Sequence, residues 1–365
     1  MVAKLRDFWL RISDGIAIQQ LWQQFQADAR SSYDLYAKDA GAGQAEGASG
    51  PRRVWRIARG IFWAMMLKLS PGRRVLLLAA LAILFFPDIR TGGDQFVIDT
   101  SGFKFWGGAI LLVLLALELA DRVSMKRDLE IAREIQSWLM PSAAPLVPGL
   151  DIAFATRPAN TVAGDYYDAF FRPNGNFLIA VADVAGKSIP AALLTATLQA
   201  SLRTLAAQPG SLTELVDRVN RYACQQNLGG QRFTTAFLAE LEPATGALTY
   251  INAGHNWPML RRTSGAIERF EAGGLPLGIL ATRSYHSGTT ELRPGDLLLI
   301  FTDGIIEAED GQEREYGEER LLDLMRGLGE PGAKDAVHRL MSSVDSFVGL
   351  ARQHDDITCL VVKKV

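Results

Sequence analysis

Four groups of aspartates in this 365-residue chain stand at the ends of apolar stretches rather than on polar faces. The run 177–182 (Phe-Leu-Ile-Ala-Val-Ala) ends in Asp183-Val-Ala-Gly186, and 297–301 (Leu-Leu-Leu-Ile-Phe) ends in Thr302-Asp303-Gly304. Asp355 and Asp356 precede the apolar run 357–362, and Gly164-Asp-Tyr-Tyr-Asp168 leads into an aromatic stretch. Carboxylates at the mouth of an apolar core are costly unless something cationic gathers them. Aspartate oxygens, with few histidines and no thiolate pair, suit hard divalent ions such as Mg²⁺ or Mn²⁺ and disfavour zinc. Gly186 and Gly304 permit tight turns after their aspartates, so that a backbone carbonyl can join the coordination sphere. Two ions about 4 Å apart can share a bridging water, lower its pKa and hold it in line with a phosphorus atom. A single Asp-Gly is more often a plain turn. Four such clusters together argue for a site.

The elements that must position these residues alternate irregularly. Strands are expected over 151–156, 177–183, 235–241, 247–252, 257–262, 297–303 and 357–362, and helices over 190–207, 212–227, 318–328 and 333–349. Neighbouring strands joined by turns such as Pro243-Ala-Thr-Gly246 favour antiparallel sheets with helices outside.

The amino-terminal third reads differently. Segment 1–50 combines helical spacing with a Gly- and Ala-rich linker at 41–50. Between Pro51 and Pro87 there are seven basic residues and no acidic one, interleaved with Trp55, Phe62 and Trp63. That pattern suits a basic amphipathic helix on anionic lipid, placed at 51–72. Apolar runs at 75–87 and 103–120 then predict a two-helix membrane hairpin over 73–120, although the first run is short for a span. Basic flanks (Arg73 and Arg74 before, Arg122, Lys126 and Arg127 after) put both termini in the cytoplasm, at the inner membrane. A linker helix at 118–140, with Met125, Leu129, Ala132, Ile135 and Leu139 on one side, allows a short coiled coil and a homodimer. Pro141, Pro145 and Pro148 end it, and a final domain occupies 141–365.

Composition removes other classes. The net charge of −2 argues against nucleic acid. Cys224 and Cys359 are far apart and lack ligand spacing, so neither a disulfide framework nor a structural zinc site is indicated. The start lacks the features of a cleavable secretory signal. Gly186-Lys-Ser188 lacks the leading glycine of a phosphate loop. His255 sits in a Gly-flanked turn that reads as a loop, and His286, His338 and His354 pair with nothing at a metal-ligand interval.

Gly164-Asp-Tyr-Tyr-Asp168, Asp183-Val-Ala-Gly-Lys-Ser188, Thr234-Thr-Ala-Phe237, Asn252-Ala-Gly-His-Asn256, Pro276-Leu-Gly-Ile279, Thr302-Asp-Gly304 and Asp355-Asp-Ile-Thr358 occur in this order. Together they resemble the motifs of the bacterial sporulation-type, SpoIIE-like branch of the PPM (2C-like) protein phosphatases. The resemblance covers about 225 residues and reaches back to Glu130-Ile-Ala-Arg-Glu-Ile-Gln136, but not to residues 1–115. It implies an α+β fold, an αββα sandwich of two antiparallel sheets flanked by helices, here preceded by the helical hairpin and linker. It also implies a centre of two Mn²⁺ or Mg²⁺ ions held by Asp165, Asp183, the Val184 carbonyl, Asp303 and Asp355. Asp356 stands as the alternative to Asp355, and Asp168 as a residue that orients the ligands. The implied activity is a serine/threonine phosphoprotein phosphatase in signal transduction and sigma-factor regulation, with a STAS-type anti-sigma-factor antagonist as substrate. No arginine precedes Gly164 where animal relatives place a phosphate-binding one. Two other readings are a catalytically weak phosphoprotein-binding module and a metal hydrolase of small phosphate esters.

Overall fold

The computed structural model describes residues 59, 62–63, 66–86, 90–93, 96–99, 102–186, 189–226, 232–271, 273–282 and 284–365. The segment 1–50 and most of the expected basic helix at 51–72 lie outside the described residues, as do Lys187 and Ser188. The chain divides into two units, Met1–Val123 and Ser124–Val365.

In the first unit, helix α1 (Pro71–Phe85) begins with Pro71, whose fixed φ and missing N–H are tolerated at a helix start. Strands β1 (Arg90–Gly93) and β2 (Phe96–Asp99) pair antiparallel, and helix α2 (Phe103–Leu139) follows. The polar segment between the two apolar runs is therefore a β-hairpin. The second apolar run and the linker helix form one continuous helix. Among the described residues, α2 alone is long and apolar enough to cross a membrane, with mean hydropathy 1.9 over its best window and 11% of that window buried. Fifteen residues of α1 rise about 22 Å, short of the roughly 30 Å hydrocarbon thickness. The two helices touch at Gly107, where an added Cβ would stand 2.9 Å from Leu84 Cγ and 3.1 Å from the Ala80 carbonyl oxygen. Arg73 at the base of α1 donates to Asp121 at 2.6 Å and to Glu118 at 3.2 Å on α2.

In the second unit, strands β3 (Leu150–Arg157), β4 (Asp165–Phe171) and β5 (Phe177–Val184) are followed by helices α3 (Ile189–Ala206) and α4 (Leu212–Gln226). Strands β6 (Thr234–Leu241), β7 (Ala247–Ala253), β8 (Met259–Arg261), β9 (Ile267–Arg269), β10 (Gly288–Glu291) and β11 (Leu297–Phe301) come next. Helices α5 (Asp303–Ile306), α6 (Gly317–Gly327) and α7 (Ala333–Val348) and strand β12 (Ile357–Lys364) complete it. Two five-stranded antiparallel sheets result, in the orders β10-β7-β6-β5-β4 and β3-β12-β11-β8-β9.

The unbroken apolar character of β5 has a layer-by-layer cause. Phe177, Ile179 and Val181 enter the core between the sheets, where they meet Leu298, Ile300, Leu360 and Val362. Leu178, Ala180 and Ala182 point the other way, against Leu202, Leu215, Val216 and Val219 of α3 and α4. The second sheet does the same: Leu297, Leu299 and Phe301 pack on α6 and α7 through Leu321, Met325, Leu340 and Val344. Each such buried large side chain contributes roughly 1.5–3 kcal/mol. A strand covered on both faces needs no polar alternation, and four layers follow, helix, sheet, sheet and helix.

The β6–β7 turn is tight as expected: the Gly246 N–H donates to the Glu242 carbonyl at 2.8 Å, with Gly246 at φ +83°. The strand expected over 297–303 stops at Phe301, and Asp303 instead opens the single-turn helix α5 behind Thr302.

Candidate active site

Strand periodicity decides which carboxylates meet. On β4, Asp165, Tyr167 and Ala169 share the face turned to the other sheet, while Tyr166 and Asp168 share the face turned to α3. Asp165 is the direct cross-strand partner of Asp183, and Asp183 in turn of Thr235. One end of the first sheet thus carries a row of Asp165, Asp183 and Thr235 across β4, β5 and β6. The same end of the second sheet carries a row of threonines. Thr156 and Thr358 are cross-strand partners whose hydroxyls lie 2.9 Å apart, and the Thr358 N–H donates to Thr302 Oγ1 at 3.0 Å. The rows are joined where Thr302 Oγ1 donates to Asp165 Oδ2 at 2.8 Å.

The electrostatics are those of gathered negative charge. Burial, then the charge of Asp183, pushes the Asp165 carboxyl well above its usual range, against the hydroxyls of Thr358 and Thr302, which favour its charged form. Burial, followed by the charges of Asp303, Asp355, Asp356 and Glu307, pushes Asp183 up to about 7. Asp165, Asp183, Asp303, Asp355 and Asp356 therefore share one field. Glu307, which closes the turn of α5, joins them without having been singled out in the sequence.

Asp355 and Asp356 are not equivalent. Asp356 Oδ1 accepts the Ala159 N–H and its Oδ2 the Gly164 N–H, both at 2.6 Å, so its carboxylate pins the loop before Asp165. From the other side, Gln136 at the end of α2 donates to the Ala163 carbonyl at 2.7 Å and accepts the Ala163 N–H at 3.0 Å. Gly304 is needed beneath the site: a Cβ there would overlap the Asp356 carbonyl oxygen. Gly164 is nearly as confined, with the Val184 carbonyl oxygen 3.2 Å from its virtual Cβ.

Asp168 is not brought into the cluster. Its carboxylate takes both Arg203 Nε and Nη2 at 2.7 Å, the Tyr166 hydroxyl at 2.8 Å and the Ala169 N–H at 2.8 Å. It ties α3 to β4. His255, expected as a loop residue, is buried, and Thr302 and Thr358, present in the motifs, gave no local sign of the bonds they make, as Thr156 gave none, because their partners lie far along the chain.

Among the described residues, no three or more His, Cys, Asp or Glu side chains are placed close enough together to hold a metal ion as they stand. The donor set nonetheless fits a hard divalent cation: it is made of carboxylate oxygens, and burial together with acidic neighbours disfavours the charge on Asp183 until a cation offsets it. An apolar cavity of about 470 Å³ between α3 and α4, lined by Leu193, Tyr222 and Phe233 with the hydroxyls of Thr197 and Ser201, has no carboxylate among its described lining residues.

A family model described as Stage II sporulation protein E (SpoIIE) matches residues 173–365. Phosphoserine phosphatase RsbU of Bacillus subtilis (strain 168) is 30% identical over 243 residues, which are 66% of this chain and 71% of RsbU. Phosphoserine phosphatase RsbP of the same organism is 25% identical over 245 residues, 66% of this chain but 59% of RsbP. The SiaA-PP2C domain of Pseudomonas aeruginosa superimposes with a TM-score of 0.60 at 20% identity, covering 67% of this chain and 98% of that domain, a likeness of fold. With the sandwich and its carboxylate end accounted for residue by residue, these matches establish that the chain belongs to the SpoIIE family and carries a PP2C-type phosphatase domain.

Proposed function

We propose that this phosphatase hydrolyses phosphoserine or phosphothreonine on a regulatory protein, and that Asp165, Asp183, the Val184 carbonyl, Asp303 and Asp355 hold its metal centre. The observation that carries the reading is the gathering of carboxylates around one buried strand end, where burial first and then the charges of Asp303, Asp355, Asp356 and Glu307 raise Asp183 to about 7. Two Mn²⁺ or Mg²⁺ ions bound there would supply positive charge and a water of lowered pKa for direct attack on phosphorus. Asp183 gives up its proton on loading, so loading is coupled to pH. Asp165 is held in place by the Thr302 hydroxyl. Asp356 shapes the loop that presents Asp165, with Gly304 leaving room for it. Unloaded, the acidic end repels a phosphate group; loaded, it attracts one.

RsbU and RsbP are named phosphoserine phosphatases, which favours phosphoserine as the group hydrolysed. A STAS-type anti-sigma-factor antagonist is the substrate class the sequence resemblance implies. The remaining organisation belongs to the same proposal: 1–50 as an amino-terminal segment and linker, 51–72 as a basic helix on lipid, 73–120 as a membrane hairpin, 118–140 as a linker able to pair two copies, and 141–365 as the phosphatase in the cytoplasm. The exposure of Phe105, Trp106, Leu112 and Leu115 on α2 supports the membrane assignment.

The test is phosphate release from a phosphoserine protein by the full chain in detergent, with and without MnCl₂. Release that requires Mn²⁺ and vanishes in Asp303→Asn is expected. Metal-independent release, or none from the intact chain, sinks the proposal.

A further inference from the structure

The row Asp165, Asp183 and Thr235 has a fourth member behind it. His255 follows β7, is 3% exposed, and places Nδ1 3.2 Å from Thr235 Oγ1. Its backbone is fixed by three features. The His255 N–H donates to Asn252 Oδ1 at 2.7 Å, and Asn252 Nδ2 donates to the Phe270 carbonyl at 3.2 Å. Gly254, at φ +70°, has Pro276 Cγ 2.6 Å from its virtual Cβ, so no other residue fits there. The imidazole is thus held rigidly against one hydroxyl.

Burial pushes the ring down to about 4, so it is neutral near pH 7, although the Phe301 carbonyl favours its protonated form. Nδ1 is taken by Thr235, and Nε2 makes no hydrogen bond of its own. With the ring proton assigned to Nε2, on the side of the Phe301 carbonyl, Nδ1 accepts the Thr235 O–H. Thr235 then has its proton committed away from the site and its oxygen lone pairs available on the side of Asp183.

We propose that His255 is a positioning residue for the carboxylate site: it orients the Thr235 hydroxyl so that its oxygen serves as an outer hydrogen-bond acceptor beside Asp183, for a water or ion that the carboxylates gather. Partly exposed Thr235 closes the open end of the row, and Thr302 closes the other by donating to Asp165. The two threonines therefore play opposite parts, one giving a proton to a carboxylate and one offering lone pairs. Outer partners of this kind commonly change metal affinity roughly 10–100-fold.

This inference rests on the proposed metal centre, and one experiment separates the two. Mn²⁺ affinity of the full chain in detergent is measured by titration calorimetry with MnCl₂, alongside the thermal melt in its absence. Thr235→Val and His255→Leu are each expected to weaken binding about tenfold or more, with the double variant no weaker than Thr235→Val alone because both act through one hydroxyl. Thr235→Ser restores the hydroxyl, and His255→Asn restores an acceptor near Nδ1; both are expected to bind within about threefold of the parent, since each keeps the hydrogen bond. Unchanged affinity in Thr235→Val, or additive losses in the double variant, overturns the positioning role while leaving the metal centre standing. Absence of Mn²⁺ binding by the parent chain overturns both. If His255→Leu does not fold, Thr235→Val against Thr235→Ser decides the matter at a site that is not fully buried.

Discussion

Asp165 and Asp183 face each other directly across the β4–β5 pair, so two carboxylates occupy one cross-strand position in an otherwise apolar sandwich. Like charges so placed destabilise a sheet. The fold relieves this by protonation when no ion is bound: Asp183 rises to about 7, and Asp165 rises as well.

The native chain without divalent ions therefore keeps a proton on Asp183 that the unfolded chain releases near pH 3.9. Stability from this source is fully present below about pH 4 and is lost as pH rises through about 7, by at most about 4 kcal/mol at 1.36 kcal/mol per unit. Thermal melts of metal-free protein should show the parent losing stability from pH 5 to pH 8 more steeply than Asp183→Asn. Adding MnCl₂ at pH 8 should stabilise the parent and leave Asp183→Asn nearly unchanged. An equal pH slope in the two proteins would refute the assignment.

The neighbours Asp355 and Asp356 should separate into two phenotypes. Asp356→Ala leaves the buried Gly164 N–H and the Ala159 N–H without their acceptor, at about 1–3 kcal/mol for each buried group. A melting temperature lowered by several degrees is expected, with metal binding impaired as a consequence. Asp355→Asn should instead melt close to the parent and lose Mn²⁺ affinity in calorimetry. The reverse pattern would exchange their roles.

These examples show what was legible beforehand. Strands β5, β11 and β12 were readable to within two residues because they are buried on both faces and so are apolar without interruption, whereas β4, which carries Asp165, read only as an aromatic stretch. Short edge strands β9 and β10 were not readable, since Ile-Glu-Arg and Gly-Thr-Thr-Glu become strands only through the partners beside them. The same holds for side chains. Asp165 and Asp183 announce themselves at strand ends, but the bond from Thr302 to Asp165 spans 137 positions and that from Gly164 to Asp356 spans 192. Nothing local encodes either. Asp168, expected to orient the ligands, lies on the opposite face from Asp165, because three residues along a strand turn a side chain over.

Asp168 should accordingly be structural. Arg203→Ala removes two charge-assisted bonds from a carboxylate that is 0% exposed, with about 2–3 kcal/mol of stability lost. Arg203→Lys should recover only part of it, because an ammonium cannot reproduce the forked contact. In both variants the protein that remains folded should bind Mn²⁺ as tightly as the parent. A tenfold or larger loss of affinity in folded Arg203→Lys would place Asp168 in the metal centre instead.

The helix pair of the first unit offers a test of membrane insertion. Gly107 allows α2 to approach Leu84 and the Ala80 carbonyl closely. The full chain is expected in the membrane fraction, resisting alkaline carbonate and released by detergent. Gly107→Leu should stay in that fraction, because hydropathy drives insertion, but should become more sensitive to protease between α1 and α2. Recovery of the parent in the soluble fraction without detergent would show that α2 does not span.

Gln136 ties the end of α2 to the loop that precedes Asp165. Its amide both donates to and accepts from the backbone of Ala163, two residues before Asp165. A primary amide does both at once, which an ionised carboxylate cannot. Gln136→Ala leaves the buried Ala163 N–H and carbonyl unpaired, at about 1–3 kcal/mol each, and Gln136→Glu keeps the acceptor while losing the donor. Amide exchange over 159–164 should therefore accelerate most in Gln136→Ala and by an intermediate amount in Gln136→Glu, with Mn²⁺ affinity falling in the same order. The loop is also held by Asp356 from the opposite side, so loss of Gln136 should loosen it without unfolding the sandwich. If exchange over 159–164 is unchanged in Gln136→Ala, the clamp does not set the position of Asp165, and a change in α2 has no route to the carboxylates through it.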